Sequence, residues 1–331
     1  VVADLAGEKV SDLLLINDRD LSYAKLRFDD RSIATLKTHL GKFDDALARA
    51  LCWASIWDMH RDAEISSSDF IEIALNGLAG ETDDAIVNIV LMQLNTSVEA
   101  YAKDSNRAAY REKLANGLWA LTQNSAPGSD LQLLISRAFA INAQTPEQTA
   151  KIRELLNGGA PGLKVDTDLR WYFLIALTER GATTKAELDA ELAGDKTTAG
   201  SLAFETCLAA MPTSDAKAYA FNKVLNEEIA TSVRSALIAG FQRPIQGALL
   251  EPFVHLYFDN LISVWESKSY DPAAKYVTGF YPSWIVKQST VDATNAWLSG
   301  VGKDSPAVLR KLVKESQDGV IRALKVQVLD K

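Results

Sequence analysis

Three histidines occur in the chain, His39, His60 and His255, and their spacing decides what chemistry they can share. A helical zinc hydrolase centre needs two His at i and i+4, so that both imidazoles face one ion, with a Glu between them as base. No histidine here has another four residues away, and no other ligand cluster stands out, so neither a metal nor a cofactor is expected in these 331 residues. His255 lies in Phe253-Val254-His255-Leu256-Tyr257-Phe258, where it reads either as a catalytic base or as a core histidine bonded to a carbonyl. No nucleophile or orienting carboxylate stands beside it, so the core reading is taken. His39 and His60 fall at polar helix ends, His60 beside Arg61 and Asp62, where solvation or compensation of a helix dipole accounts for them. Asp58, Asp62 and Glu64 read as solvated faces or caps. Ala193-Gly194-Asp195-Lys196 reads as a helix stop and restart, not a phosphate cradle, and Gly158-Gly159 lacks the preceding strand of a dinucleotide site.

What remains is binding chemistry. A guanidinium pairs with a carboxylate in bidentate fashion, so an arginine on a concave helical surface could hold the carboxylate of a peptide. Arg170 in Asp168-Leu169-Arg170-Trp171 and Arg243 in Gly240-Phe241-Gln242-Arg243-Pro244 are the candidates, against the plainer reading of a structural ion pair or carbonyl contact. Seven tryptophans, with Trp53 and Trp57 at i and i+4, could form a stacking platform, but the area each ring buries favours packing between helices.

The elements that would position these groups are mostly helices. Val87, Leu91, Leu94, Val98 and Tyr101 step by three and four, and the stretch around them is apolar nearly all round, which predicts a central helix. Thr145-Pro146-Glu147-Gln148 and Thr184-Lys185-Ala186-Glu187 read as capping boxes, and Thr82, Thr213 and Ser305 as further helix starts. Gly158-Gly159 before Pro161 ends a helix, and Pro252 either kinks a helix or marks its start. About fifteen helices with short links are expected, making sequential helices antiparallel neighbours. The fold class is therefore mostly α, a HEAT-like α-α superhelix (a right-handed solenoid of antiparallel pairs) without a regular repeat. The first thirty residues differ. Leu13 to Ile16 is apolar, Asn17-Asp18-Arg19-Asp20 has turn chemistry, and Tyr23, Lys25 and Arg27 alternate with Ala24, Leu26 and Phe28, which predicts a β-hairpin. The division follows: residues 1–29 as a hairpin remnant of a preceding domain, 30–331 as a helical domain.

Composition narrows the function classes. With 47% apolar residues the chain can bury a large core, and 24% charged residues is ordinary for a globular protein. A net charge of −8 argues against a nucleic-acid partner. No run of eighteen apolar residues predicts a membrane span. The start, Val1-Val2-Ala3-Asp4-Leu5, has no signal-peptide pattern, and its missing Met suggests a segment of a longer chain. Cys52 and Cys207 sit in apolar helical stretches and read as buried reduced thiols, which fits the cytoplasm. The sequon Asn95-Thr96-Ser97 falls mid-helix and is discounted.

Several segments together resemble one family. They are Leu14-Leu15-Ile16-Asn17-Asp18-Arg19-Asp20-Leu21-Ser22-Tyr23-Ala24-Lys25, Arg49-Ala50-Leu51-Cys52-Trp53-Ala54-Ser55-Ile56-Trp57-Asp58-Met59, Asp166-Thr167-Asp168-Leu169-Arg170-Trp171 and Met211-Pro212-Thr213-Ser214-Asp215-Ala216-Lys217. Ala239-Gly240-Phe241, Tyr257-Phe258 and Val264-Trp265 complete the pattern. In order and spacing they are similar to the C-terminal helical domain of bacterial aminopeptidase N, actinobacterial type, in the M1 zinc metallopeptidase family. The resemblance implies a lid and cavity wall over a catalytic cleft. Zinc and the catalytic residues would belong to the parent enzyme. The partners would be the N-terminal and catalytic domains of the same polypeptide and peptide substrates. The hairpin would be the last strands of a β-sandwich. No catalytic or metal residue carries over, because no position here matches those motifs. The alternatives are a free-standing HEAT-like scaffold that binds proteins, and an independent helical enzyme.

Overall fold

The structure is a computed structural model and describes residues 6–330; residues 1–5, read above as lacking a signal-peptide pattern, and residue 331 lie outside it. Seventeen α-helices carry the described chain: α1 (Asp30–His39), α2 (Ala46–Arg61), α3 (Ser67–Leu78), α4 (Asp84–Thr96), α5 (Asp104–Asn124), α6 (Asp130–Asn142), α7 (Pro146–Leu156), α8 (Thr167–Thr178), α9 (Lys185–Gly194), α10 (Thr198–Ala210), α11 (Ser214–Asn226), α12 (Thr231–Phe241), α13 (Gly247–Leu250), α14 (Phe253–Ser267), α15 (Tyr270–Gly279), α16 (Gln288–Ser299) and α17 (Ala307–Gln327). A π-helical turn, Ser97–Tyr101, follows α4 directly. No helix among the described residues is long and apolar enough to cross a membrane.

Local chemistry explains most helix starts. Asp29, Asp45, Ser66, Asp83, Ser129, Thr145, Asp166, Thr184, Thr197 and Thr213 each accept a backbone N–H of the first turn, a contact that contributes about 1 kcal/mol. Thr145 and Gln148 form the full capping box that their spacing predicts. Thr184 accepts from the Glu187 amide. The start expected at Thr82 is supplied one residue later by Asp83, and α17 begins after Pro306, just past Ser305. Pro252 marks the start of α14 and does not kink it. Gly158 takes φ +81 at the turn after α7.

The β-hairpin expected within residues 13–28 is not formed, and no strand occurs among the described residues. The turn itself is there. The Asn17 amide bridges Ser22, donating to its carbonyl (2.8 Å) and accepting from its N–H (3.0 Å). On either side of it Leu14, Ile16 and Leu21 face solvent, 59%, 69% and 85% exposed, while Leu13 and Leu15 are partly buried against the helical core. Two extended segments without a third strand are marginal as a ladder in water. This segment is instead fastened to the helices by buried Leu26 and Phe28 and by Lys25 and Arg27 on Asp62.

Helices pack in pairs: α5 with α6, α7 with α8, α9 with α10, α11 with α12, α14 with α15 and α16 with α17. One member of each pair also touches the next, giving the row α4–α6–α8–α10–α12–α15–α17. Gly240 lets α12 come close to α10, since a Cβ there would lie 2.3 Å from the Thr206 carbonyl. Side-chain donors join the carboxyl ends along this row. Arg180 donates to the Ile141 and Ala143 carbonyls at the end of α6 and to Ala176 in α8. Gln246 donates to the carbonyls of Glu179 (2.7 Å) after α8 and Ala210 (2.8 Å) in α10. Lys217 donates to Ala209 (2.8 Å) in α10 and to Gly240 (3.1 Å) and Phe241 (3.2 Å) in α12. Gln242 donates to Gly279 (2.7 Å) in α15 and to Tyr281 (3.1 Å).

The row also returns to its beginning. α17 packs on α2 and on the π turn. Asp330 accepts from the Lys103 amide (2.8 Å) and the Tyr110 hydroxyl (2.7 Å), and Gln327 donates to the Ala100 carbonyl (2.8 Å). Lys103 begins α5 without a side-chain cap of its own, so Asp330 serves as one from far along the chain.

One buried ion pair anchors the amino-terminal half. Glu81 accepts from Arg49 (3.0 Å), from the Trp53 indole (3.0 Å) and from the Thr82 amide (2.9 Å). Burial pushes its carboxyl up, but Arg49, the Thr82 amide and Trp53 outweigh it and hold the group below its ordinary 4.5. The stability this adds is therefore complete above pH 4.5 and is lost as pH falls through the lower folded value. Glu81→Ala leaves the Arg49 charge buried and alone, and should cost about 3–5 kcal/mol by urea denaturation at pH 7. The gap between wild type and variant should shrink as pH is lowered below about 4.5.

Candidate functional site

A pocket of about 380 Å³ opens between α4, α6 and α8. Its apolar wall is Leu91, Met92, Leu134, Ala138 and Ile141, and its polar groups are Asn88, Asn95, Thr96, Arg137, Asn142 and Tyr172. The apolar stretch of α4 explains it. Val87, Val90, Leu91 and Leu94 are buried as expected, but Ile89 and Met92 are 53% and 63% exposed, so α4 is not central. Its surplus apolar face borders an open space. The Arg137 guanidinium lies 5.4 Å from the Tyr172 ring centre. Burial pushes the Tyr172 phenol to about 12 although Arg137 and Arg243 pull it down, so it stays neutral at pH 7. Asn142, 3% exposed, donates to the Ala138 carbonyl (2.9 Å), which fixes the orientation of its amide. Its Oδ1 has no hydrogen-bond partner, and neither has Arg137 Nε.

Beyond Tyr172 lies a cluster of charge. Glu179 pairs with Arg180 (2.6 Å) and with Arg243 (3.2 Å). Lys217 is fully buried nearby, and its ammonium is lowered to about 7, first by burial and then by Arg243, with Glu179 opposing. The four carboxyl-terminal helix ends gathered here (α6, α8, α10 and α12) carry together about two negative charges, to which Glu179 adds one, and Arg180, Arg243 and the protonated fraction of Lys217 offset them.

The Cys207 thiol is pushed to about 12 by burial, as is that of Cys52, and both cysteines are buried and free. Among the described residues no three His, Cys, Asp or Glu gather to hold a metal ion. The amides, guanidinium and phenol of the pocket do not fit zinc, which takes thiolate, imidazole and carboxylate ligands.

The residues singled out in the sequence are not brought together. Arg170 spends both arms on Glu191 (2.7 and 2.6 Å) against α9, and Arg243 faces Glu179. The structural ion pair weighed for each is what the geometry contains. The two histidine readings exchange places. His255 is exposed, whereas His60 is fully buried, hydrogen-bonded to the Ile65 carbonyl and the Ser97 hydroxyl (both 2.9 Å) and stacked on Phe70. Burial lowers its imidazole to about 4, so it is neutral. The polar end of α2 is covered by the π turn, a contact between distant parts of the chain. Trp53, Trp171 and Trp297 are buried, as packing predicts. Arg137, Asn142 and Tyr172 were not anticipated. The available signal was a lone arginine in the otherwise small and apolar run of α6, beside an α4 with more apolar surface than one core face uses.

Comparison with known proteins sets these observations in a family. A model described as the ERAP1-like C-terminal domain matches residues 13–322. The chain is 41% identical over 332 residues to "Aminopeptidase N" of Streptomyces lividans, an alignment covering 99% of this chain and 38% of that protein. The chain thus spans well under half the length of the curated relative it matches.

Lys217 gives this cluster a pH signature. Its folded value, about 7, lies below its ordinary 10.5, so between these the unfolded chain binds more protons and stability rises with pH. The stability of wild type relative to Lys217→Met should increase by about 2–4 kcal/mol from pH 6.5 to 10.5, read by urea denaturation at each pH.

Proposed function

This chain belongs to the ERAP1-like C-terminal domain family, and on that premise we propose that it is the non-catalytic C-terminal domain of an M1 zinc aminopeptidase that removes N-terminal residues from peptides in the cytoplasm. The observation that carries the proposal is the 41% identity over 99% of the chain to just 38% of a protein named aminopeptidase N. In this reading zinc and the catalytic residues belong to the remainder of the polypeptide.

The arrangement proposed is a right-handed, HEAT-like superhelix of antiparallel pairs that arches over the catalytic cleft. Pairwise packing and the row of helices tied at their carboxyl ends support it. Residues 1–29 are then the end of a preceding β-sandwich, and 30–331 the helical domain. The exposed alternation of Leu14, Ile16, Leu21 and Tyr23 is the face that the missing strands would cover. In this reading the domain limits the cavity, excludes water and orients the peptide, so that binding energy far from the scissile bond aids its positioning. The open pocket between α4, α6 and α8 supplies peptide contacts, and Arg243 is the better placed of the two arginines for a peptide carboxylate, because its charge acts on Tyr172 in the pocket lining while Arg170 is turned to Glu191 of α9.

Two outcomes test this. The chain alone should release no product from amino-acyl anilides, and turnover should appear when it is mixed with the folded remainder of the polypeptide; no turnover with a folded partner counts against the reading. In the full-length enzyme, Arg243→Ala should raise KM for peptides about tenfold while leaving KM for amino-acyl anilides nearly unchanged, and Arg170→Ala should affect both alike, by steady-state kinetics.

A further inference from the structure

Arg137 stands half-buried in the wall of the pocket between α4, α6 and α8 without a counter-ion. Other partly or fully buried arginines of these helices each face a glutamate: Arg111 has Glu99, Arg153 has Glu187, Arg170 has Glu191, and Arg180 and Arg243 share Glu179. Among the described residues Arg137 makes no hydrogen bond and no ion pair, and none of the pocket's lining residues is Asp or Glu. Its Nε is closed off, whereas Nη1 and Nη2 remain accessible. The Tyr172 hydroxyl is also accessible, has no hydrogen bond among the described residues, and keeps its proton at neutral pH. Beside these three donors the wall is aliphatic, formed by Leu91, Met92, Leu134, Ala138 and Ile141. A half-buried charge without a partner costs free energy, and an anion that enters the pocket recovers it.

The two accessible N–H groups at the end of a guanidinium match the two oxygens of one carboxylate. We propose that this pocket binds an aliphatic carboxylate, its oxygens accepting from Arg137 Nη1 and Nη2 and from the Tyr172 hydroxyl, and its alkyl group lying against Leu91, Met92 and Ile141. Arg243 adds its charge from beyond Tyr172 but shares Glu179 with Arg180, so Arg137 makes the direct bonds. Two sources carry this chemistry: a small free acid, and the last residue of a peptide, whose nitrogen is acylated. Only the second rests on the peptide-facing reading above. A free amino acid is rejected. Its ammonium stands beside the carboxylate, the pocket lining offers it no acid, and Arg137 and Arg243 repel it. The site therefore separates an aliphatic acid from the corresponding amino acid by one charge.

The test uses this chain and five small probes: isocaproate, its neutral amide, acetate, leucine (isocaproate with an added ammonium) and N-acetyl-leucine. The chain has three methionines, and Met92 alone lines the pocket, so carbon-13 methyl NMR of labelled Met59, Met92 and Met211 reports the site directly. Isocaproate should shift the Met92 methyl saturably in the millimolar range and leave Met59 and Met211 in place. The amide and leucine should each bind about tenfold more weakly, through loss of the charged hydrogen bonds and through repulsion. Acetate should also bind about tenfold more weakly, for want of the alkyl contact. N-acetyl-leucine identifies the source: binding at least as tight as isocaproate points to a peptide end, and weaker binding to a free acid. In Arg137→Gln, isocaproate and its amide should bind alike. Equal binding of isocaproate and its amide by the wild type, equal binding of isocaproate and leucine, or no saturable shift at Met92 overturns the proposal. Comparing probes on the wild type does not depend on any variant folding. Binding by this chain alone is also separate from turnover by the full enzyme, so failure of one reading is distinguishable from failure of the other.

Discussion

The carboxyl ends of buried helices are the constraint on which this architecture depends. A helix leaves its last carbonyls without partners, and water is not available to them between packed layers. Here α6, α8, α10, α12 and α15 end on one side of the row, and Arg180, Gln246, Lys217 and Gln242 each reach across carbonyls that belong to neighbouring helices. Each donor satisfies orphan groups and also fixes the spacing of two helices. Two of the four carry positive charge, which suits the negative pole that the gathered helix ends create.

This constraint separates structural charge from binding charge. Arg180 and Lys217 look like part of an anion site when counted as cations, yet the helix ends and Glu179 consume their charge, which leaves Arg243, sharing Glu179 with Arg180, as the cation proposed for a peptide carboxylate. What is left over for a ligand sits one layer away, where Arg137, Asn142 and Tyr172 meet the unneeded apolar face of α4. Hydrogen bonding by an amide, a phenol and a guanidinium, beside an aliphatic wall, is the chemistry offered there.

Local features were legible in the sequence because they depend on a few adjacent residues. The Thr145–Gln148 box, the Thr213 cap, the Gly158 turn and the start after Pro252 are all of this kind. So were the buried, free cysteines. The alternation over 13–28 misled because a strand exists only with a neighbour, and these residues have none. His60 and His255 were exchanged because a polar flank says nothing about a distant turn folding over it. Arg170 and Arg243 stood out by their neighbours in sequence, while their partners Glu191 and Glu179 are set by helix packing. Arg137 lay inside an apolar helix, where periodicity treats it as an interruption of a core face.

The contact between Asp330 and the Lys103 amide joins groups 227 residues apart. A stack of repeats ordinarily gains stability one neighbour at a time and can begin folding anywhere. With α17 and Asp330 resting on α2, the π turn and the start of α5, the packing of this chain cannot be complete until those later residues have left the ribosome. At ordinary synthesis rates that is a wait of roughly 11–45 seconds, during which the nascent helices α2 to α5 present an uncovered surface to chaperones.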